Sequence, residues 1–165
     1  MKLIEPKIVV DETPASALRE EILRPLRDYN ASKVGSVVIE PFAVFLRHPE
    51  SDAIIGGLWG TSAAGWLYIE LLYVPDEFRT RGIGSSLIRK AEEVAAKRGC
   101  IGIRLDTFTF QAPGFYEKLG YRMFGKLMGH PEGHDQIYYF KLLTKLRAKE
   151  DTQRAKAKPA ASKKR

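Results

Sequence analysis

The stretch that decides the fold is Leu71-Leu72-Tyr73-Val74, a short loop, then Arg79-Thr80-Arg81-Gly82-Ile83-Gly84-Ser85-Ser86. An apolar strand ends, the chain turns on two glycines, and a helix begins. The first N–H groups of a helix have no intrahelical acceptor and sit at the positive end of its dipole. Gly82 and Gly84 let that backbone approach an anion closely, and Arg79 and Arg81 add positive charge on the same turn. The segment therefore predicts a phosphate site. A P-loop would need Gly-Lys-Ser or Gly-Lys-Thr after four spacer residues, and none is present. A dinucleotide turn would need Gly or Ala three residues after Gly84, where Leu87 stands. The plain alternative is a glycine turn between strand and helix, with no ligand.

Outward from this turn, Ile83, Leu87, Ile88, Ala91, Val94 and Ala95 trace one helical face, and Gly99 stops the helix after Lys97 and Arg98. Upstream, residues 66–74 form an apolar strand interrupted by the lone charge Glu70. Residues 53–59, 42–46 and 37–39 are further strand material, and residues 7–10 a short first strand. Thr13 and Pro14 suit the cap and first turn of a helix carrying Leu18, Ile22, Leu26 and Tyr29, interrupted or kinked at Pro25. Downstream, Ile101, Ile103 and Leu105 alternate as a strand, residues 112–119 make a short helix closed by Gly120, and residues 121–128 and 136–143 make two strands joined by a loop. This order predicts an α/β (α+β) fold: a mixed, largely antiparallel sheet of about seven strands flanked by helices.

With 165 residues and 44 % hydrophobic content, the chain has enough apolar mass for one core. No apolar run approaches the roughly 20 residues of a membrane helix, and the first ten residues, with Lys2, Glu5 and Lys7, lack a secretory stretch. Cys100 is the single cysteine, so no internal disulfide or thiolate cluster forms. The expectation is a cytoplasmic protein. From Lys145 onward lie nine of the 27 basic residues and two of the 20 acidic ones, so this tail carries the whole net charge of +7 over a neutral body. The expected organisation is a domain over residues 1–143 and a basic, flexible tail over 144–165. Nucleic acid is expected as a partner only through that tail, and no membrane partner is expected.

A second motif follows the first: Ala112, then Tyr116, then Gly120-Tyr121. Together with Arg79-Thr80-Arg81-Gly82-Ile83-Gly84 it resembles the GNAT superfamily of N-acetyltransferases, over roughly residues 5–143. The resemblance implies acetyl-CoA as cosubstrate. It places the pyrophosphate on Arg79, Thr80, Arg81, Gly82, Ile83, Gly84 and Ser85, and the pantetheine arm along Leu72, Tyr73 and Val74; a backbone N–H of the strand Leu71 to Val74 would serve the oxyanion. Where many members have a pantetheine-binding asparagine, this chain has Thr109, with Gln111 as a possible substitute. Proteins of this kind are often dimers, which makes a homodimer a possible assembly.

Acetyl transfer to an amine needs a base for the amine, donors for the developing oxyanion, and a proton for the departing thiolate. Tyr116 resembles the family's tyrosine acid; as a lone residue it would otherwise be core packing. Glu70, an acid in an apolar strand, is a candidate base or else an outward-facing charge. Asp106, after Leu105, is a second candidate or else a strand-end cap. His130 and His134 lie in the loop of residues 129–135 and are alternatives, as is a water chain. Glu132 and Asp135 of that loop could attract a cationic amine. Trp59, Trp66 and Tyr68 are candidates for the opposite wall or for the core. No basic neighbour activates Cys100, which disfavours a thiol acyl-enzyme, and the three histidines lack metal spacing, so no metal is expected. The resulting expectation is an N-acetyltransferase acting on a primary amine by direct attack in a ternary complex. The alternatives are a non-catalytic acyl-CoA-binding regulatory domain and a nucleic-acid module driven by the tail.

Overall fold

A computed structural model describes residues 5–143. The expected basic tail lies outside the described residues. The chain divides into two compact units, one ending at Val37 and one beginning at Val38.

The first unit carries α1 (Leu18–Val34). The helix starts later than the Thr13-Pro14 signal predicts. The Thr13 N–H is taken by the Asp11 carboxylate at 3.0 Å, and α1 begins without a side-chain cap. It continues through Pro25, at the cost of the bond that proline cannot donate to the Glu21 carbonyl. Gly35 ends it with φ 80°, its N–H on the Ala31 carbonyl at 2.9 Å. The expected first strand at residues 7–10 does not form, and among the described residues the sheet has six strands rather than about seven.

The second unit is that sheet: β1 (Glu40–Arg47), β2 (Ile54–Ala63), β3 (Trp66–Tyr73), β4 (Gly102–Phe108), β5 (Arg122–Met128) and β6 (Asp135–Leu142). Its spatial order is β1-β2-β3-β4-β6-β5, antiparallel everywhere except between β3 and β4. That parallel step requires a crossover, supplied by α2 (Ile83–Lys97). A second helix, α3 (Pro113–Lys118), links β4 to β5. The amphipathic stripe of α2 (Leu87, Ile88, Ala91 and Ala95) is buried in one core with Leu58, Leu67, Ile69, Ile103, Leu105 and Tyr139. An ion pair from Lys141 to Glu92 at 2.7 Å ties β6 to α2.

Two local features open the sheet. The register between β2 and β3 slips by one: Trp59 faces Leu71 and Gly60 faces Ile69, so Glu70 is the extra residue of a bulge. The parallel pairing of β3 with β4 covers only Trp66–Ile69 against Gly102–Leu105. Both strands continue past that seam, β3 to Tyr73 still paired with β2 and β4 to Phe108 still paired with β6, but no longer with each other. The facing backbone groups of β3 beyond Ile69 are left without a ladder partner among the described residues.

A cleft between diverging strands

The gap is a cleft of about 1020 Å³, at the upper end of ordinary ligand pockets. One wall is residues 70–74 of β3 and its continuation; the other is Asp106, Thr107 and Phe108 of β4. The turn before α2 and the residues Ala112, Phe115 and Tyr116 close one end.

At that turn Gly82 precedes α2 in the left-handed conformation, φ 78° and ψ 2°, which glycine adopts without steric cost. No side chain caps the helix start, so the N–H groups of Ile83, Gly84 and Ser85 keep no protein acceptor among the described residues. Gly84 matters for another reason: a Cβ there would stand 3.2 Å from Phe115 Cζ, a tight contact that the ring would have to yield to, so its smallness lets Phe115 of α3 close onto the first turn of α2. Thr80 also has positive φ, 63°, uncommon for a residue with a side chain, and its hydroxyl donates to the Arg79 carbonyl at 2.6 Å. Arg79 lines the cleft but is engaged, with Nε on the Val74 carbonyl at 3.0 Å and an ion pair to Asp76 at 2.8 Å.

Two of the expected contacts do not line the cleft. The Arg81 guanidinium lies over the Phe78 ring, 5.9 Å from its centre, held there by cation–π attraction. Thr109 is used to join loops: its Oγ1 accepts from the Asp135 N–H at 3.1 Å and its own N–H donates to the Asp135 carbonyl at 2.9 Å. Gln111 does line the cleft, with Oε1 accepting from Thr107 Oγ1 at 2.8 Å and the Phe108 N–H at 3.0 Å.

Tyr116 is 8 % exposed, its ring 5.0 Å from Phe115, 6.1 Å from Tyr121 and 6.0 Å from Tyr139. Its hydroxyl has no hydrogen-bond partner among the described residues. Burial, with a smaller contribution from the Asp106 charge, pushes its pKa up to about 12. The phenol is therefore a proton holder at neutral pH.

Glu70 and Asp106 reach the cleft from the sheet face opposite α2. Glu70 Oε1 accepts from Thr61 Oγ1 at 2.9 Å. Asp106 lies within β4 rather than after it. Its Oδ1 accepts from the Tyr68 hydroxyl at 2.8 Å and its Oδ2 from Gln136 Nε2 at 2.6 Å. Tyr68 itself is not part of the cleft lining, and its phenol is raised to about 12 by burial and by Asp106. Gln136 was not apparent in the sequence. Only the period of two along β6, which sets Gln136, Tyr138 and Phe140 opposite the buried Ile137 and Tyr139, could have suggested it.

The other candidates lie elsewhere. His130 packs at 6.0 Å on Phe108 and His134 at 4.9 Å on Phe110, ring centre to ring centre, and neither lines the cleft. The Asp135 carboxylate pairs with Lys126 and accepts the Gly129 N–H at 3.0 Å; the lysine first, then that bond, lower its pKa. Trp66 packs edge-on against Phe140 at 6.4 Å, and Trp59 is half exposed on the open face. Burial pushes the Cys100 thiol up, away from the thiolate a nucleophile needs. Among the described residues no group of three or more His, Cys, Asp or Glu side chains is placed to hold a metal ion, and no helix is long and apolar enough to cross a membrane.

Comparison with known proteins gives concordant results. The family model described as the acetyltransferase (GNAT) family matches residues 11–121. An acetyltransferase of Agrobacterium fabrum is 37 % identical over 119 residues, covering 72 % of this chain and 83 % of that protein. The crystal structure of an acetyltransferase from Bacillus cereus superimposes with a TM-score of 0.74 at 35 % identity, over 82 % of this chain and 98 % of that one. A Bacillus anthracis structure assigned as a streptothricin acetyltransferase, in complex with acetyl coenzyme A, matches with a TM-score of 0.51 at 29 % identity, over 57 % of this chain and 58 % of that one.

Proposed function

Because the chain belongs to the acetyltransferase (GNAT) family, we propose that it transfers an acetyl group from acetyl-CoA to a primary amine, by direct attack in a ternary complex. The observation that carries this reading is the coincidence of three features in one cleft: an unpaired strand edge, an uncapped helix start, and a buried phenol with a free hydroxyl.

Each feature fits one part of the cosubstrate. The bare edge of β3 beyond Ile69 can pair with the amides of an extended pantetheine arm, as one strand pairs with another. The N–H groups of Ile83, Gly84 and Ser85 suit a pyrophosphate, and the space beside Gly82, where an added Cβ would meet nothing within 4 Å, leaves room for one. When bound, acetyl-CoA supplies the electrophilic thioester carbonyl and a thiolate leaving group.

The chain's own residues would supply the proton management. Glu70 projects where β3 bulges, on the face opposite α2, and its Oε2 carries no hydrogen bond among the described residues. It can take the proton that the attacking amine must lose as the nitrogen–carbon bond forms. Tyr116 approaches from the α2 side of the cleft and holds a proton for the sulfur as the carbon–sulfur bond breaks. Backbone N–H groups on the unpaired edge of β3 can stabilise the oxyanion. Acid and base therefore approach the gap from opposite faces of the sheet, with the acceptor entering from the Glu70 side.

The test is calorimetric titration with acetyl-CoA, followed by a thiol-release assay over a panel of amines. Micromolar binding and turnover of at least one amine are expected. Absence of affinity for both CoA and acetyl-CoA overturns the reading.

A further inference from the structure

A chain of hydrogen bonds runs along the sheet face opposite α2 and ends on a carboxylate in the cleft. The Tyr138 hydroxyl donates to Gln136 Oε1 at 2.9 Å. Gln136 Nε2 donates to Asp106 Oδ2 at 2.6 Å, and the Tyr68 hydroxyl donates to Asp106 Oδ1 at 2.8 Å. Asp106, whose carboxylate can only accept, takes the donor end of the Gln136 amide, and the Tyr138 hydroxyl donates to the Oε1 left on the other side. The cross-strand register makes this possible, since Asp106 stands opposite Tyr138 and Phe108 opposite Gln136.

Both donors on Asp106 are neutral. They fix the carboxylate without cancelling its charge, and no ion pair joins it to a cation among the described residues. Arg104, two residues before it on β4, is committed to the Tyr68 ring at 4.0 Å. The charge is directed into the cleft, where it contributes to raising the Tyr116 phenol. A carboxylate with four lone-pair sites can receive further donors beyond these two. Glu70, held on one oxygen by Thr61 alone, is the better placed of the two acids to accept a proton.

We propose that Asp106 is the seat for a second positive charge on the acceptor, and that Gln136, braced by Tyr138, is the residue that positions it. The preferred acceptors are then amines with another cationic group, such as diamines or amines carrying a guanidinium, rather than simple monoamines. This rests on the acetyltransferase reading above and deepens it to a substrate class. The seated cation is distinct from the nitrogen that is acetylated, because a nitrogen kept protonated against a carboxylate cannot attack.

The test is steady-state kinetics of the full chain at saturating acetyl-CoA. The acceptors are α,ω-diamines of three to six carbons, each paired with the monoamine of equal length. The wild type should favour the best diamine over its monoamine by about 10–100-fold in kcat/KM, the range of a charged hydrogen bond. D106N should abolish that preference. Q136L should raise KM for the diamine about tenfold while kcat changes less than about twofold, with the monoamine unaffected. Y138F, which keeps the ring and removes only the hydroxyl bonded to Gln136 Oε1, should show a smaller shift in the same direction, and it carries the test if Q136L does not fold. Equal turnover of diamines and monoamines by the wild type, or loss of both alike in D106N and Y138F, overturns this proposal alone. If neither series is acetylated, the acetyl-transfer reading falls and takes this one with it.

Discussion

Replacing Tyr116 with phenylalanine removes one oxygen from a ring that is held on three sides by Phe115, Tyr121 and Tyr139. Because the hydroxyl has no protein partner among the described residues, its loss leaves no orphaned group. Stability should stay within about 0.5 kcal/mol of wild type. The effect should fall on chemistry. General acids contribute about 10²–10⁴-fold. A thiolate, with a parent pKa near 8.5, leaves more easily than an amine or alkoxide, so the lower end applies. We expect a loss of about 10²-fold in the chemical step, or about 2.7 kcal/mol in the barrier. Single-turnover quench-flow with saturating acetyl-CoA isolates that step, and calorimetry should find the acetyl-CoA affinity unchanged. The pH profile provides a second check. With its pKa at about 12, Tyr116 stays protonated through the ordinary assay range, so the wild-type chemical rate should show no alkaline decline below about pH 11 from this group. A Tyr116→Phe enzyme with full single-turnover rate refutes the assignment of the acid.

Gly84→Val should lower acetyl-CoA affinity at least about tenfold by titration calorimetry, because its side chain must displace Phe115 at the helix start. Arg81→Ala should lower it less than about threefold, since that guanidinium rests on Phe78 outside the cleft; the reverse ranking would contradict the geometry. Glu92→Ala removes the partly buried partner of Lys141 and should cost about 1–3 kcal/mol, seen as a Tm lower by about 3–10 °C; an unchanged Tm would show that the pair contributes nothing. Stability should also fall above pH 10. The phenols of Tyr68, Tyr116 and Tyr139 are raised to about 12 in the folded chain, and that of Tyr121 is raised as well. Between pH 10 and 12 the unfolded chain therefore binds fewer protons than the native one, and unfolding is favoured as pH rises. The urea midpoint should be lower at pH 11 than at pH 9, and an equal midpoint argues against those burials.

The parts of this molecule that were legible in sequence are those encoded locally. The stripe Leu87, Ile88, Ala91 and Ala95, the stop at Gly99 and the glycine turn each depend on neighbours a few residues away, and each stands where the pattern predicts. What escaped depends on distant pairing. The role of Gln136 requires β6 to lie beside β4, a contact thirty residues away in the chain. Thr109 looked available for a ligand because nothing local shows that Asp135 would claim it. Arg81 looked like a phosphate ligand until Phe78 supplied a ring for it. Residues 7–10 have strand composition, but a strand exists only where a partner edge accepts its backbone. Thr13 has the composition of a cap, yet α1 starts at Leu18 with no side-chain cap bond.

The short seam of four residue pairs between β3 and β4 has a mechanical consequence. The sheet amounts to two three-stranded halves stitched along part of their length and spanned by α2. An extended amide chain lying in the gap would act as a surrogate strand, completing the hydrogen-bonding that the polypeptide leaves undone. Acetyl-CoA would then be a splint as well as a reactant. At a concentration of 100 times its dissociation constant it would add about 2.7 kcal/mol to stability. The ligand-free protein should breathe first along that unstitched edge.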